Sequence, residues 1–235
     1  MSAPRPIDPR AVRAAVATVL GAALLIALLA WAVDDRSALL LHVDGAVADA
    51  LYAGDDRSGL VDGLLRVATA PGLFVVRAVV YLPVLIWLLL RARWWTAGWV
   101  AAAVGLISPV TTLIKDTTGR LRPQFADGGA RYHSLSFPSG HASGVATLVT
   151  VALLLSWPLL APRARWIWLA AGVALAVLVG LTRIWLGVHW LSDVVAGEAL
   201  GVAWTLLMAL ALGGLAGRRG ALPPAGSATS PEVVG

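Results

Sequence analysis

The chain contains no cysteine, so it can build neither a disulfide framework nor a thiolate metal site. Charge is scarce as well. Asp, Glu, Lys and Arg make up 13% of its 235 residues, against roughly 25% in soluble domains. The formal charge of +5 is spread along the chain with no block of one sign, which argues against a nucleic-acid partner. Histidine occurs only at His42, His133, His141 and His189. What remains is apolar: 59% of the residues are hydrophobic, and a fold in water would leave too much of that surface exposed. A membrane-embedded bundle is expected.

Apolar runs support this. Ala14–Val33, Val75–Leu90, Trp95–Ile114, Ala142–Leu160, Trp166–Thr182 and Val194–Ala216 give six candidate spans, most near the ~20 residues a helix needs to cross a bilayer. The first run follows Arg5, Arg10 and Arg13 and ends in Ala30-Trp31-Ala32, the outline of a signal peptide. It is longer than the ~7–15-residue apolar core of such a peptide, so an anchor is expected. Between the first two spans, Leu39, Leu40, Val43, Val47 and Leu51, then Leu60, Leu64 and Val67, recur at helical spacing among polar residues. They predict short amphipathic surface helices. The fold class is therefore an all-α bundle of six transmembrane helices. One membrane domain is expected over residues 1–219, followed by a disordered Pro- and Gly-rich tail, 220–235. Arg77 is expected to snorkel to the interface or else to pair inside the bundle, and Glu198 to face the bundle interior near the site.

Arg5, Arg10, Arg13, Arg91, Arg93, Arg163, Arg165, Arg218 and Arg219 fall on one side of this topology, which the positive-inside rule makes cytoplasmic. The Asp-rich segment from Asp34 to Ala70 falls on the other. Two polar clusters share that outer side, Lys115 to His141 and Arg183 to Asp193. Lys115, Arg120 and Arg122 converge where a span ends, which suits either an anion or lipid-headgroup anchoring. Pro138-Ser139-Gly140-His141 opens a helix, and the unpaired amides of a helix N-terminus attract phosphate; the same residues could be simple helix punctuation. His189 and Asp193 stand four apart, on one face if helical. A carboxylate on Nδ1 would fix the tautomer and leave the Nε2 lone pair free to attack or to bind metal; the alternative is a structural His–Asp pair at a helix end.

In order, Lys115, six residues, Arg122-Pro123, then Pro138-Ser139-Gly140-His141, then Arg183, five residues, His189, three residues and Asp193 resemble the motifs of the type 2 phosphatidic acid phosphatase family. The third motif there usually opens with Ser-Arg, and Thr182-Arg183 keeps the hydroxyl. The resemblance implies His189 as nucleophile, Asp193 as its orienting partner and His141 as general acid. It implies Lys115, Arg122, Ser139, Gly140 and Arg183 as holders of the phosphoryl oxygens. It further implies a membrane lipid phosphate as substrate, no metal or other cofactor, and a phosphohistidine intermediate. The candidate lipids are a polyprenyl diphosphate, phosphatidic acid and phosphatidylglycerol phosphate. A soluble phosphate ester, a phosphotransfer reaction and a non-enzymatic lipid-binding role are the alternatives. A bell-shaped activity profile is expected between about pH 5 and 8, because His189 must be neutral and His141 protonated. The connection Gln124–Phe137, with Phe125, Arg131, Tyr132 and His133, is expected to contribute to headgroup choice. Oligomeric state is not legible.

Overall fold

The computed structural model describes residues 9–54, 56–125 and 134–215. Arg131, Tyr132 and His133, Arg5, and the tail from Gly220 with the preceding Arg218 and Arg219 lie outside those described residues. Among the described residues eight α-helices follow one another: α1 Pro9–Asp34, α2 Ala38–Leu51, α3 Gly59–Thr69, α4 Phe74–Leu90, α5 Trp94–Thr118, α6 Gly140–Ser156, α7 Pro162–Trp185 and α8 Leu191–Ala211. No strand occurs among the described residues.

Five of these, α1, α5, α6 with its short extension to Leu159, α7 and α8, are each long and apolar enough to cross a membrane. The sixth candidate span is a bent pair of helices. At 17 residues α4 is short for a crossing, and it continues from α3 through the turn Ala70–Gly72 with a bend of 47°. Pro71 in that turn is the local cause. Leu60, Leu64 and Val67 of α3 face outward. So do Leu20, Leu24 and Leu28 of α1, Val75, Val79 and Leu82 of α4, and Trp166, Ile167 and Trp168 of α7, as side chains against lipid should.

Arg77 does not snorkel. It is 1% exposed, and it donates to the Gly72 carbonyl at 2.8 Å and to Ser108 Oγ at 2.9 Å. The bend leaves that carbonyl without a helical partner, and the guanidinium supplies one.

The seam that positions everything else is α6 against α8. Gly197 and Gly201 lie one turn apart, and a Cβ on Gly197 would come within 2.5 Å of the Ser139 carbonyl. One on Gly201 would strike the Ser143 carbonyl. Small residues at this spacing let two membrane helices touch backbone to backbone. Helix α8 ends at Ala211, short of the expected Ala216, because Gly213 turns the chain at φ +73°.

Candidate active site

Four helix ends meet at one end of the bundle: the C-termini of α5 and α7 and the N-termini of α6 and α8. Lys115 lies in the last turn of α5, which Gly119 closes in the left-handed conformation at φ +61°. That turn sends Arg120-Leu121-Arg122-Pro123 back across the bundle end. Lys115 Nζ donates to the carbonyls of Leu135 at 2.6 Å and Ser136 at 2.9 Å, tying α5 to the extended approach to α6. Thr118 Oγ1 reinforces the tie through the Phe137 carbonyl at 3.1 Å.

The start of α6 is capped by Ser139, whose hydroxyl accepts weakly from the Ala142 amide at 3.5 Å. Among the expected phosphate contacts, this hydroxyl is the one directed into its own helix instead of outward. Gly140 and His141 form the first turn and are half-buried. Their amides belong to the set that a helix leaves without internal partners. His141 lies within electrostatic reach of Arg183, His189 and Arg122. The Ser139 amide donates to the Asp193 carbonyl at 2.9 Å, so the second and third motifs are joined through backbone.

Arg183 closes α7, 3% exposed, and its Nη1 donates to Thr69 Oγ1 at 3.1 Å. His189 is not helical. It sits in the loop between α7 and α8, and Asp193 lies in the first turn of α8. The expected shared helical face is therefore replaced by a capping arrangement. Asp193 Oδ2 accepts from the Trp190 amide at 3.0 Å, and the same oxygen lies 3.3 Å from His189 Nδ1. Ser136 Oγ also donates to Oδ2.

The other ring nitrogen decides the tautomer. Arg122 Nη1 stands 3.1 Å from His189 Nε2, and a guanidinium can only donate. Nε2 must therefore be the acceptor, and the proton sits on Nδ1, facing Asp193. Arg122 is held by the carbonyls of Val188 at 2.7 Å and Ser134 at 2.8 Å. Burial depresses the His189 pKa to about 3, with the Arg122 and Arg183 charges adding to it and Asp193 opposing. The ring is neutral throughout the ordinary pH range.

Three participants are not evident from the sequence. Arg120 reads there as one more cation for an anion, but it is buried and paired, through Nη1 to Asp193 Oδ1 at 2.7 Å and through Nη2 to Asp44 Oδ2 at 2.6 Å. Asp44 comes from α2, 1% exposed, and also accepts from the Ser192 amide at 2.9 Å. Ser192 Oγ bridges the two, donating to Asp44 Oδ2 and accepting from Arg120, both at 2.6 Å. Glu198 packs against Gly180 of α7 instead of joining this network.

The PAP2 superfamily model matches residues 93–214, more than half of the chain. The chain belongs to the PAP2 superfamily. All four of the helix ends described above lie inside the matched PAP2 region. Among curated PAP2-like relatives, the chain is 39% identical over 93 residues to phosphatidylglycerophosphatase B of Bacillus subtilis, a match covering 38% of this chain and 45% of the relative. It is 35% identical over 125 residues to lipid A 1-phosphatase of Rhizobium johnstonii, covering 49% of this chain and 48% of the relative. The chain thus spans about half the length of the curated relatives it matches. The crystal structure of a transmembrane PAP2 type phosphatidylglycerolphosphate phosphatase from Bacillus subtilis shares the fold, with a TM-score of 0.64 at 24% identity, over 81% of this chain and 94% of that one. The chain is a multi-span membrane protein of the PAP2 fold.

Proposed function

We propose that this chain is a metal-independent lipid phosphatase that hydrolyses a phosphomonoester or diphosphate of a membrane lipid through a phosphohistidine on His189. The observation that carries the reading is the His189 ring itself: buried, neutral, with Nδ1 on Asp193 and its Nε2 lone pair held by Arg122. A phosphate arriving among Lys115, Arg122, Arg183 and the Gly140 amide would draw the Arg122 guanidinium onto its own oxygens. That same exchange uncovers Nε2. Attack by Nε2 forms the P–N bond as the bond from phosphorus to the leaving oxygen breaks, and His141 gives that oxygen a proton. Water then attacks phosphorus, His141 takes the proton, and the P–N bond breaks to restore His189. Positioning and fixed positive charge supply the catalysis that phosphoryl transfer needs.

The site sits at the ends of candidate spans, and with those ends at the headgroup level a lipid phosphate would arrive laterally with its tails still in the bilayer. A polyprenyl diphosphate, phosphatidic acid and phosphatidylglycerol phosphate all present the required group, and the relatives named for phosphatidylglycerophosphate and lipid A point to the same class. We read residues 1–219 as one catalytic domain in a bacterial plasma membrane, its site facing outward. Arg91 and Arg93, and Arg163 and Arg165 at the start of α7, lie at the opposite end of the bundle, as the positive-inside rule requires. The test is phosphate release by detergent-purified protein, with EDTA present, from a panel of lipid phosphates and soluble esters. Release from a lipid class that vanishes in His189→Ala supports the reading; release from soluble esters alone, or persisting in the variant, refutes it.

A further inference from the structure

Asp44 lies outside the matched region, on a helix that carries none of the three motifs. Its side chain is nonetheless 2% exposed, and it ends a buried line of alternating charge: Asp44, Arg120, Asp193, then the His189 ring. Each link is within hydrogen-bond distance, the last being the longest at 3.3 Å. From this line we infer that Asp44 is a positioning residue for the reaction, acting through Arg120 on Asp193 and so on the nucleophilic ring. The inference rests on the proposed role of His189.

The two oxygens of Asp193 divide the labour. Oδ2 serves the His189, Ser136 and Trp190 donors, and among the described residues Oδ1 serves Arg120. The carboxylate can aim Oδ2 at Nδ1 only if Oδ1 is held elsewhere, and Arg120 holds it. Arg120 in turn has a flexible side chain, and one nitrogen on Asp193 would not fix its plane. Asp44 fixes it by taking the other nitrogen, while its second oxygen anchors the Ser192 amide at the start of α8. Trp190, whose ring lies 5.5 Å from the Arg120 guanidinium carbon, closes the remaining face.

Charge counts as well. Arg120 beside Asp193 alone would cancel the carboxylate that stabilises the ring as positive charge develops on it during attack. With Asp44 present the trio carries net negative charge. Asp44 therefore keeps Asp193 electrostatically effective as well as correctly aimed, which a merely packed side chain would not do.

The test is a double-mutant cycle in detergent-purified protein, with kcat and KM referred to the folded, monodisperse fraction and a lipid phosphate as substrate. Asp44→Asn should lower kcat roughly 10- to 100-fold, by analogy with the hydrogen-bond partners that orient metal-ligating histidines from behind. KM should stay within about two-fold, because the phosphate-holding groups are untouched. Asp44→Glu should restore part of the loss. In an Arg120→Gln background, adding Asp44→Asn should change kcat no further, since its route of action is gone. A wild-type kcat in Asp44→Asn, or the same loss in both backgrounds, overturns the inference. Should Asp44→Asn not fold, the Arg120→Gln pair decides between these outcomes, and failure of both to fold would make the role structural alone and overturn it too. Absence of phosphate release from the wild type would instead count against the proposed function.

Discussion

Arg122 and His189 meet at 3.1 Å, the guanidinium Nη1 on the imidazole Nε2, and this contact assigns the ring's tautomer without a hydrogen being seen. In the resting protein the reactive lone pair is covered by the group that is proposed to receive the substrate's charge.

Removing that group should therefore weaken binding and chemistry together. Arg122→Ala is expected to lower kcat by about 10²- to 10³-fold, as loss of one oxyanion donor does, and to raise KM. Arg122→Lys, which keeps charge but not the fork, should recover only part. Steady-state kinetics on a lipid phosphate check both.

Asp193→Asn should be worse than its small change suggests. An amide nitrogen turned toward Nδ1 would force the ring proton onto Nε2, where Arg122 already donates. In a serine-protease triad such a reversal costs on the order of 10⁴-fold in kcat, and a loss of similar size is expected here. Rapid-quench detection of phosphoenzyme would show its formation slowed, with the folded yield unchanged.

The buried His189 also makes stability depend on pH. Its folded pKa of about 3 lies below the unfolded value of ~6.5, so below that value the unfolded chain binds the extra proton. Stability from this group is whole above pH ~6.5 and falls on acidification, by up to ~1.4 kcal/mol per pH unit down to about 3. Thermal denaturation in detergent should show a shallower pH slope in this window for His189→Gln than for the wild type. Equal slopes would refute the assignment.

Gly201→Leu should separate α6 from α8. A Cβ there strikes the Ser143 carbonyl, and overpacking of this kind costs about 1–3 kcal/mol or more. Reduced thermal stability and loss of activity are expected together, whereas Gly105→Leu, where nothing lies within 4 Å, should be tolerated.

The six spans and the motif residues are legible because both are local in sequence: runs of apolar residues, and polar residues at fixed spacing beside them. What escapes depends on distance. Asp44 is one Asp among several in an acidic stretch, and only the fold shows that it reaches Arg120, 76 residues away. Arg77 reads as a snorkelling cation until the bend at Gly72 supplies a bare carbonyl for it. The spacing of His189 and Asp193 predicts contact but for the wrong reason, since a loop and a cap bring them together where a shared helical face is expected. Proximity in sequence puts Glu198 near the site, yet the helix turns it toward Gly180.

The 2.9 Å bond from the Ser139 amide to the Asp193 carbonyl has a wider consequence. It fastens the segment bearing His141 to the helix start beside His189, across a seam that glycines keep too tight to slide. The spacing of the two histidines is thus set through main chain as well as through side-chain packing. If the proposed lipid phosphatase reading holds, a change of substrate range would be sought in the residues around that joint, with His141 and His189 left as they are.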